Sequence, residues 1–399
     1  MNKLKPLDGI RIIDFTSMMA GPFLTRLLAD CGAELIKIEA LTGDYMRYRS
    51  PIRDGRSSYY GHMNCGKKSI AIDLKKDAGK AIAKKLIAKA DVVVENFRPG
   101  VMHEMSLSYD NLKDEFPDLI FCSVSGFGQK SPRARDPAYA PIIHAASGLD
   151  LTHMRWNKHL DRPPNTGIFT ADAVAGIYAF GAIQTALIHR MRHGGGQHVD
   201  VNLLDSALNL LVYEVQDAQF PSDNVRPLYE PLKTSDGFVM VAPVNQKNFE
   251  NLADAIGCPH WKIDPKFSNN RAREQNWAEL MRGVEKWTQL RTSKECEKIL
   301  MNADVPSSRF VGVPELVNDP ELRANGSFSQ VSDGSGSYMV PSPPFKLSNA
   351  DVEPANWVSD LSQDRKEILH HIAGYSMEEI QQLESDGTVG INSKLSFPP

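Results

Sequence analysis

IRIIDFTSMMAGPFLTRLLADCGAELIKIEA, residues 10–40, contains two β-branched runs separated by an amphipathic stretch. The runs IRIIDF (10–15) and ELIKIEA (34–40) predict buried strands, since short apolar runs of this composition are typical of strands covered on both faces. The stretch between them, 23–30, has helical spacing, and Gly32 is placed to end a helix. A strand, a helix and a strand in this order predict a parallel βαβ unit.

The same alternation continues through the first half of the chain. Further strands are predicted at 69–74, 91–97 and 119–127, and a helix at 76–90. A long segment rich in small residues, 171–192, predicts a helix that is buried on most sides and ended by the glycines at 194–196. We therefore expect an α/β fold with a Rossmann-like sheet in the large domain.

The composition changes near residue 221, where a stretch rich in Pro, Asp and Asn begins. It is followed by a hairpin pattern, LKTSDGFVMVAPV, and by shorter helical patterns, which together predict a smaller inserted α+β domain. A second hairpin pattern, SQVSDGSGSYMVP, and a helix with a capping box at Ser376 and Glu379 follow. We assign 1–225 to the large domain, 226–335 to the small domain, and 336–399 to a segment that returns to the large domain.

Composition excludes several classes of protein. The net charge of −4 provides no overall field that attracts nucleic acid or an anionic membrane. Five widely spread cysteines without a CxxC pair favour neither a disulfide framework nor a zinc site. The N-terminus lacks a secretion signal, and the apolar run 173–183 is too short to span a bilayer. We therefore expect a cytoplasmic protein.

Cofactor motifs are poorly represented. SGFGQK (125–130) lacks the third glycine and the later acidic residue of a dinucleotide fingerprint, and no GxxxxGK[ST] motif occurs. His189, His193 and His198 lie near a helix end, where cations are favoured, without a carboxylate or thiolate to complete a metal site. We expect no metal and no tightly bound cofactor.

Two groups of residues are candidates for chemistry. Asp172 begins the long apolar helix, where free N–H groups favour an ionised carboxylate; it is either a plain helix cap or a nucleophile. Asn96, Phe97 and Arg98 follow a predicted strand at the sheet edge where open α/β sheets bind ligands. They suit an adenine and a phosphate, or form an ordinary turn with a solvated arginine.

Taken in order, the motifs of this chain resemble one family, the class III coenzyme A transferases, which include formyl-CoA transferase. The matching segments are PLDGIRIIDFTSMMAGP, GAELIKIEA, GDYMR, NCGKKSIAIDLK, ADVVVENFRPGVM, LIFCSVSGFGQ, PAYAPIIHAASGL, TADAVAG, GGGQHVDVNLLDSALNLL and GYSMEEIQQLESDG. The resemblance spans nearly the whole chain and is weakest between about 221 and 335. It implies a Rossmann-like large domain built from both chain ends, a small inserted domain, and an interlocked homodimer.

The resemblance also implies an activity and a site. It implies transfer of coenzyme A between carboxylic acids, with acyl-CoA as a substrate and Asp172, within TADAVAG, as the nucleophile. The coenzyme A contacts that it implies are Ala20, Ile72, Lys75, Asn96, Phe97 and Met105, with Arg47 and Arg98 as phosphate partners.

This sequence departs from the family pattern at several positions. Ala40 and Glu104 stand where relatives place arginines, so phosphate recognition is expected to fall on Arg47, Arg98 or Arg135. Met19 stands where formyl-CoA transferase has a glutamine near the thioester. Residues 221–237 contain no counterpart of that enzyme's glycine-rich loop, so we expect a different acceptor lid.

Two alternatives remain open at this point. An α-methylacyl-CoA racemase shares the fold, but Arg135 occupies the position of its proton-transferring histidine in RDPAY (135–139). Arginine stays protonated and is a poor base. The other alternative is a coenzyme A binding protein without catalytic turnover.

Overall fold

The computed structural model describes residues 4–157, 159–165, 167–221 and 228–391, which divide into two compact units. One unit contains 1–215 and 320–399, and the other contains 216–319. The predicted boundary at 225/226 falls among residues outside the described ranges. The predicted boundary at 335/336 differs from the observed one, because the second hairpin belongs to the first unit: the Ser332 N–H bonds the Asn356 carbonyl, and Val331 and Val340 pack on Cys65.

The strands in the described part of the chain are β1 Arg11–Asp14, β2 Glu34–Glu39, β3 Ile52–Arg53, β4 Arg56–Ser57, β5 Lys67–Ala71, β6 Val92–Glu95, β7 Ile120–Ser125, β8 Gln197–Asn202, β9 Leu232–Lys233, β10 Phe238–Val241, β11 Ser307–Arg309, β12 Phe328–Asp333 and β13 Gly336–Pro341.

The α-helices there are α1 Ala20–Asp30, α2 Ser58–Asn64, α3 Asp77–Ile87, α4 Val101–Glu104, α5 Tyr109–Leu112, α6 Ala140–Ala146, α7 Leu149–Trp156, α8 Thr170–His193, α9 Leu203–Leu208, α10 Val212–Gln219, α11 Gln246–Ala255, α12 Asn270–Gln275, α13 Trp277–Thr288, α14 Ser293–Asn302, α15 Val313–Asn318, α16 Pro320–Ala324, α17 Arg365–Glu367 and α18 Met377–Ser385. Short 3₁₀ turns span Tyr45–Tyr48 and Pro259–Ile263, and a π-turn spans Ile368–Ile372.

The large unit is built around a six-stranded parallel sheet in the order β5-β2-β1-β6-β7-β8. This order is that of a Rossmann sheet, in which the connections reverse direction between the first and fourth strands. The reversal lies between β1 and β6 here, so their carboxyl ends open a crevice. The prediction of a parallel α/β sheet is confirmed.

Apolar layers cover both faces of this sheet. On one face, Leu24, Leu28 and Ile12 pack with α8 residues such as Ala175 and Ile183. On the other face, the C-terminal segment contributes buried side chains to the cluster around Ile36 and Val93; they are Ile368, Leu369, Ile380 and Val389. The isolated bridge between Ile72 and Val389 ties that segment to the end of β5.

Helix α8 has one buried side and one exposed side. Ala171, Ala175, Ala179 and Ile183 are fully buried, whereas Met191 is 83% exposed. The expectation of burial on most sides is therefore wrong for a single chain, because only one face of α8 packs on the sheet and large apolar residues such as Ile177 and Ile188 lie on the other. By length and composition alone α8 could cross a membrane, with a mean hydropathy of 1.4, but its alanine face packs on a parallel sheet as core helices do.

The smaller unit has its own core. β9, β10 and β11 form an antiparallel sheet, and helices α11, α13 and α14 pack on it. Phe249, Leu252, Leu280 and Val284 are completely buried between these elements.

Candidate active site

The candidate nucleophile, Asp172, lies in the first turn of α8 and is partly buried. The N-cap position of α8 is occupied by Phe169, so Asp172 is not the cap of its own helix. The backbone N–H of Ala20, the first residue of α1, instead lies close enough to the carboxylate to favour its ionised form. Asp172 therefore lies where the positive ends of two helices meet.

Burial raises the pKa of Asp172 to about 6, while the backbone N–H groups of Ala20 and of Asp172 itself work to lower it. A carboxylate with this pKa is ionised at neutral pH yet poorly hydrated. Poor hydration leaves its oxygens available for reaction, which suits a nucleophile.

Tyr59 is a neighbour of Asp172 that the sequence analysis missed. Burial, together with the charge of Asp172, raises the pKa of the Tyr59 hydroxyl. The same hydroxyl lies 3.6 Å from the Met19 sulfur, beside the start of α1. Tyr59 is in α2, far from Asp172 in the sequence, so no local pattern relates the two residues.

The loop between β1 and α1 is held rigidly beside Asp172. The Asn96 side chain accepts from the Ser17 N–H at 2.9 Å and donates to the Ser17 carbonyl at 2.8 Å. Met18 has a φ of 67°, a left-handed conformation that costs energy in a residue other than glycine. Such strain persists only where surrounding contacts fix the backbone.

A network of buried charged groups also holds the loop between β1 and α1 in place. The Lys37 ammonium, completely buried, donates to the Thr16 carbonyl at 2.5 Å and lies 3.3 Å from the Asp44 carboxylate. The Asp14 carboxylate accepts from the Thr16 hydroxyl and from Lys67. Burial works to raise the pKa of Asp14, but the two lysines lower it overall, so the carboxyl stays ionised in the core.

The predicted coenzyme A contacts fall into two groups. Ile72, Phe97 and Met105 belong to one apolar cluster beside the carboxyl edge of the sheet, and Ile72 is only 1% exposed. Lys75 and Arg98 are exposed near the ends of β5 and β6. An apolar floor with cations at its rim suits a nucleotide, and these roles stay predictions.

Asn96 and Ala20 occupy a different position from that group. The Asn96 amide is used on the Ser17 backbone, and Ala20 is 3% exposed and touches Asp172 through its N–H. Both residues therefore support the surroundings of Asp172 directly. Arg135 is exposed in the segment before α6, and its predicted phosphate contact also stays a prediction.

Arg47 requires a correction. Its guanidinium is 5% exposed and makes two hydrogen bonds of 2.7 Å to the Glu39 carboxylate. It also donates to the Tyr60 hydroxyl and lies 3.9 Å from the centre of that ring. Because Arg47 is occupied by this buried pair, the expected phosphate contact is wrong; the sequence shows the charge but not its partner.

Arg98 lines a cavity of about 470 Å³ beside β6, β7 and β8. Inside it, the Ser123 hydroxyl lies 2.9 Å from His198 Nε2, and burial raises the pKa of Glu95 to about 7. Of the three histidines grouped in the sequence, His198 thus points to Ser123, while the rings of His189 and His193 lie 5.0 Å apart at the end of α8, tilted by 52°.

A protein-family model and several known relatives match this chain over most of its length. The model of CoA-transferase family III matches residues 7–359. The human succinyl-CoA:glutarate CoA-transferase is 31% identical over 98% of this chain and 91% of its own. An acetyl-CoA:oxalate CoA-transferase from Acetobacter aceti is 34% identical over 87% of this chain and 90% of its own.

The fold is likewise shared with a solved structure. A CaiB/BaiF family protein from Brucella suis superposes with a TM-score of 0.80 and 29% identity, covering 93% of this chain and all of the other. Since both the family model and the relatives match almost end to end, this chain belongs to CoA-transferase family III and is a CoA-transferase.

Proposed function

We propose that this enzyme moves coenzyme A from a donor acyl-CoA to a small acceptor carboxylic acid, with Asp172 as the covalent nucleophile. The observation that carries the proposal is the Asp172 carboxylate, partly exposed and beside the Ala20 N–H at the meeting point of two helix N-termini. Relatives act on succinyl-CoA with glutarate and on acetyl-CoA with oxalate, so short acids, including dicarboxylic acids, are the proposed acceptors.

The first half of the reaction consumes the donor. The Asp172 carboxylate attacks the thioester carbonyl carbon, the C–S bond breaks, and coenzyme A leaves as a thiolate with a mixed anhydride left on the enzyme. The thiolate then attacks the aspartyl carbonyl carbon and expels the donor carboxylate. An aspartyl-CoA thioester remains, and no proton is gained or lost.

The second half reverses these steps with the acceptor. The acceptor carboxylate attacks the aspartyl thioester, which gives a new anhydride and releases the thiolate. The thiolate attacks the acceptor acyl carbon, which forms the product thioester and frees Asp172. During attack at the aspartyl carbon, negative charge develops on a carboxyl oxygen of Asp172, and the nearby Ala20 N–H is a fixed donor that stabilises it.

The test uses Asp172→Ala with a panel of acyl-CoA donors and isotope-labelled acids, read by mass spectrometry. We expect label to enter the thioester with the wild-type protein and the rate to fall at least about 10³-fold in the variant, with coenzyme A binding retained. Glu378→Ala, an exposed first-turn carboxylate on α18, is the control and should keep full activity. Retained turnover in Asp172→Ala would remove the mechanism.

We also propose that two subunits associate through the exposed side of α8, in the interlocked manner that the family resemblance implies. Ile177, Ile188 and Met191 on that side are 54%, 55% and 83% exposed in the single chain, and an apolar stripe of this size is typical of an interface. Sedimentation of the wild-type protein should give a dimer, and Ile188→Lys should weaken it. Met377→Lys, at an exposed apolar position on α18, should not. A fully active wild-type monomer would contradict the proposal.

A further inference from the structure

The helix that carries Asp172 lacks a cap of its own. In an ordinary helix the N-cap side chain accepts a hydrogen bond from the second or third N–H. At α8 the N-cap residue is Phe169, whose side chain makes no such bond. The second N–H, that of Ala171, instead donates to Nε2 of His144 on α6, at 3.1 Å.

His144 is only 7% exposed, and the bond that it accepts fixes its chemical state. An imidazole accepts only when it is neutral, with the proton on Nδ1; an imidazolium has two donors and no acceptor. Protonation would turn Nε2 into a donor facing the Ala171 N–H at the positive end of a helix. The two hydrogens would repel each other, and the first turn of α8 would lose its partner.

The surroundings of His144 favour the neutral form. Burial lowers the pKa of His144 first; on α7, His153 also lowers it while Asp150 works to raise it. In the first turn of α8 the charged group is Asp172, next to Ala171, and on α9 Asp205 is exposed and bonded by Asn202. Because the capped N–H belongs to the residue directly before the nucleophile, the two sites are coupled.

We propose that His144 is a positioning residue that, in its neutral form, caps α8 and holds Asp172 in its reactive position. This proposal rests on the proposed role of Asp172 as nucleophile. Two protonations then stop the reaction, one at the Asp172 carboxylate and one at the His144 imidazole. The acid limb of log(kcat/KM) against pH should therefore approach a slope of 2 rather than 1.

His144→Gln is the decisive variant, because a glutamine oxygen accepts the same hydrogen bond but does not titrate. We expect its activity at pH 8 to stay within about threefold of the wild type, and the slope of its acid limb to fall from 2 to 1. His144→Leu, without an acceptor, should lose about tenfold in kcat while KM changes little. His193→Gln, the same change at the exposed far end of α8, should keep the wild-type profile.

A measurement independent of activity tests the cap itself. In protein labelled with ¹⁵N-histidine, the His144 resonances are assigned as those that disappear in His144→Gln. At pH 8 they should show the Nδ1-protonated tautomer, both in the wild type and in Asp172→Ala. An Nε2-protonated ring, or a slope of 2 retained in His144→Gln, would overturn the proposal. Turnover retained in Asp172→Ala would instead remove the proposed nucleophile and leave the ring's tautomer as a separate result.

Discussion

Gly176 on α8 lies so close to Ala20 on α1 that a Cβ atom at Gly176 would stand 2.9 Å from the Ala20 carbonyl oxygen and 3.2 Å from the Phe23 ring. The two helices pack at this point with no side chain between them. Since the Ala20 N–H lies beside the Asp172 carboxylate, the spacing of the helices also sets the distance between these two groups.

Gly176→Ala should therefore disturb the chemistry more than the fold. The obstructing oxygen belongs to the backbone, so α1 has to move away by a few tenths of an ångström. The Ala20 N–H works to lower the pKa of Asp172, and moving it away should shift the acid limb of kcat/KM to higher pH. We expect kcat to fall by about tenfold, as for loss of one directed hydrogen bond to a charged group.

Gly181→Ala is the matched control on the same helix. A Cβ atom there meets nothing within 4 Å in the single chain, and alanine favours a helix over glycine by about 1 kcal/mol. The control should keep both the kcat and the pH midpoint of the wild type. If Gly176→Ala and Gly181→Ala gave the same pH profile, close packing at Gly176 would not govern Asp172.

Asp172→Asn should stabilise the protein while stopping its reaction. Burial raises the pKa of Asp172 from 3.8 to about 6, so between these values the folded chain holds more protons than the unfolded chain. The free energy of unfolding therefore falls as pH rises through this window, by at most about 3 kcal/mol. Asparagine removes this cost and keeps an acceptor oxygen beside the Ala20 N–H.

Calorimetry at two pH values checks that sign. At pH 8 the variant should melt a few degrees above the wild type, and near pH 4, where Asp172 is mostly protonated in the folded chain, the two should nearly coincide. An equal difference at both pH values would mean that the ionisation of Asp172 is not its cause.

The order of elements could be predicted from the sequence because it depends on local patterns. IRIIDF and ELIKIEA became β1 and β2, the capping box at Ser376 and Glu379 starts α18, and the alternation gave the parallel sheet. Parallel strands end at one edge of a sheet, so the position of Asn96 at that edge also followed from order alone.

Pairings between distant residues could not be predicted in that way. Arg47 is a single positive charge in the sequence, and only folding shows that Glu39 and Tyr60 surround it. His144 and Ala171 are similarly unrelated by any local spacing, although the cap joins them. The exposed side of α8 escaped prediction because an apolar stripe has the same pattern whether a core or a second subunit covers it.

Asn96→Ala should separate a direct coenzyme A contact from support of the loop. The amide makes two hydrogen bonds to Ser17, so its loss should loosen the strained backbone at Met18 and lower kcat by about tenfold. The Kd for free coenzyme A, from calorimetric titration, should change less than threefold. Lys75→Ala, exposed near the proposed nucleotide site, should instead raise the Kd and change kcat little. A large rise in Kd for Asn96→Ala would favour the direct coenzyme A contact.

Arg47→Met should change stability and Arg98→Ala should change coenzyme A binding, although the family resemblance implies the same phosphate role for both arginines. Arg47→Met leaves the Glu39 carboxylate buried without its partner, which costs about 3–5 kcal/mol of stability. Although burial works to raise it, the pKa of Glu39 is lowered from 4.5 to about 2 mainly by Arg47, so the stability that the pair contributes is lost as pH falls through this window. The difference in stability between the wild type and the variant should therefore shrink on acidification. Adding Glu39→Leu should restore much of the loss.

Arg98→Ala should leave the melting temperature unchanged, because the side chain is exposed. If its guanidinium meets a coenzyme A phosphate, Kd should rise about tenfold at low salt and the rise should shrink as salt increases. Thermal unfolding and coenzyme A titration of the same two proteins decide the matter. Weaker binding in a folded Arg47→Met protein, with its stability intact, would return Arg47 to the phosphate site and contradict the buried pair.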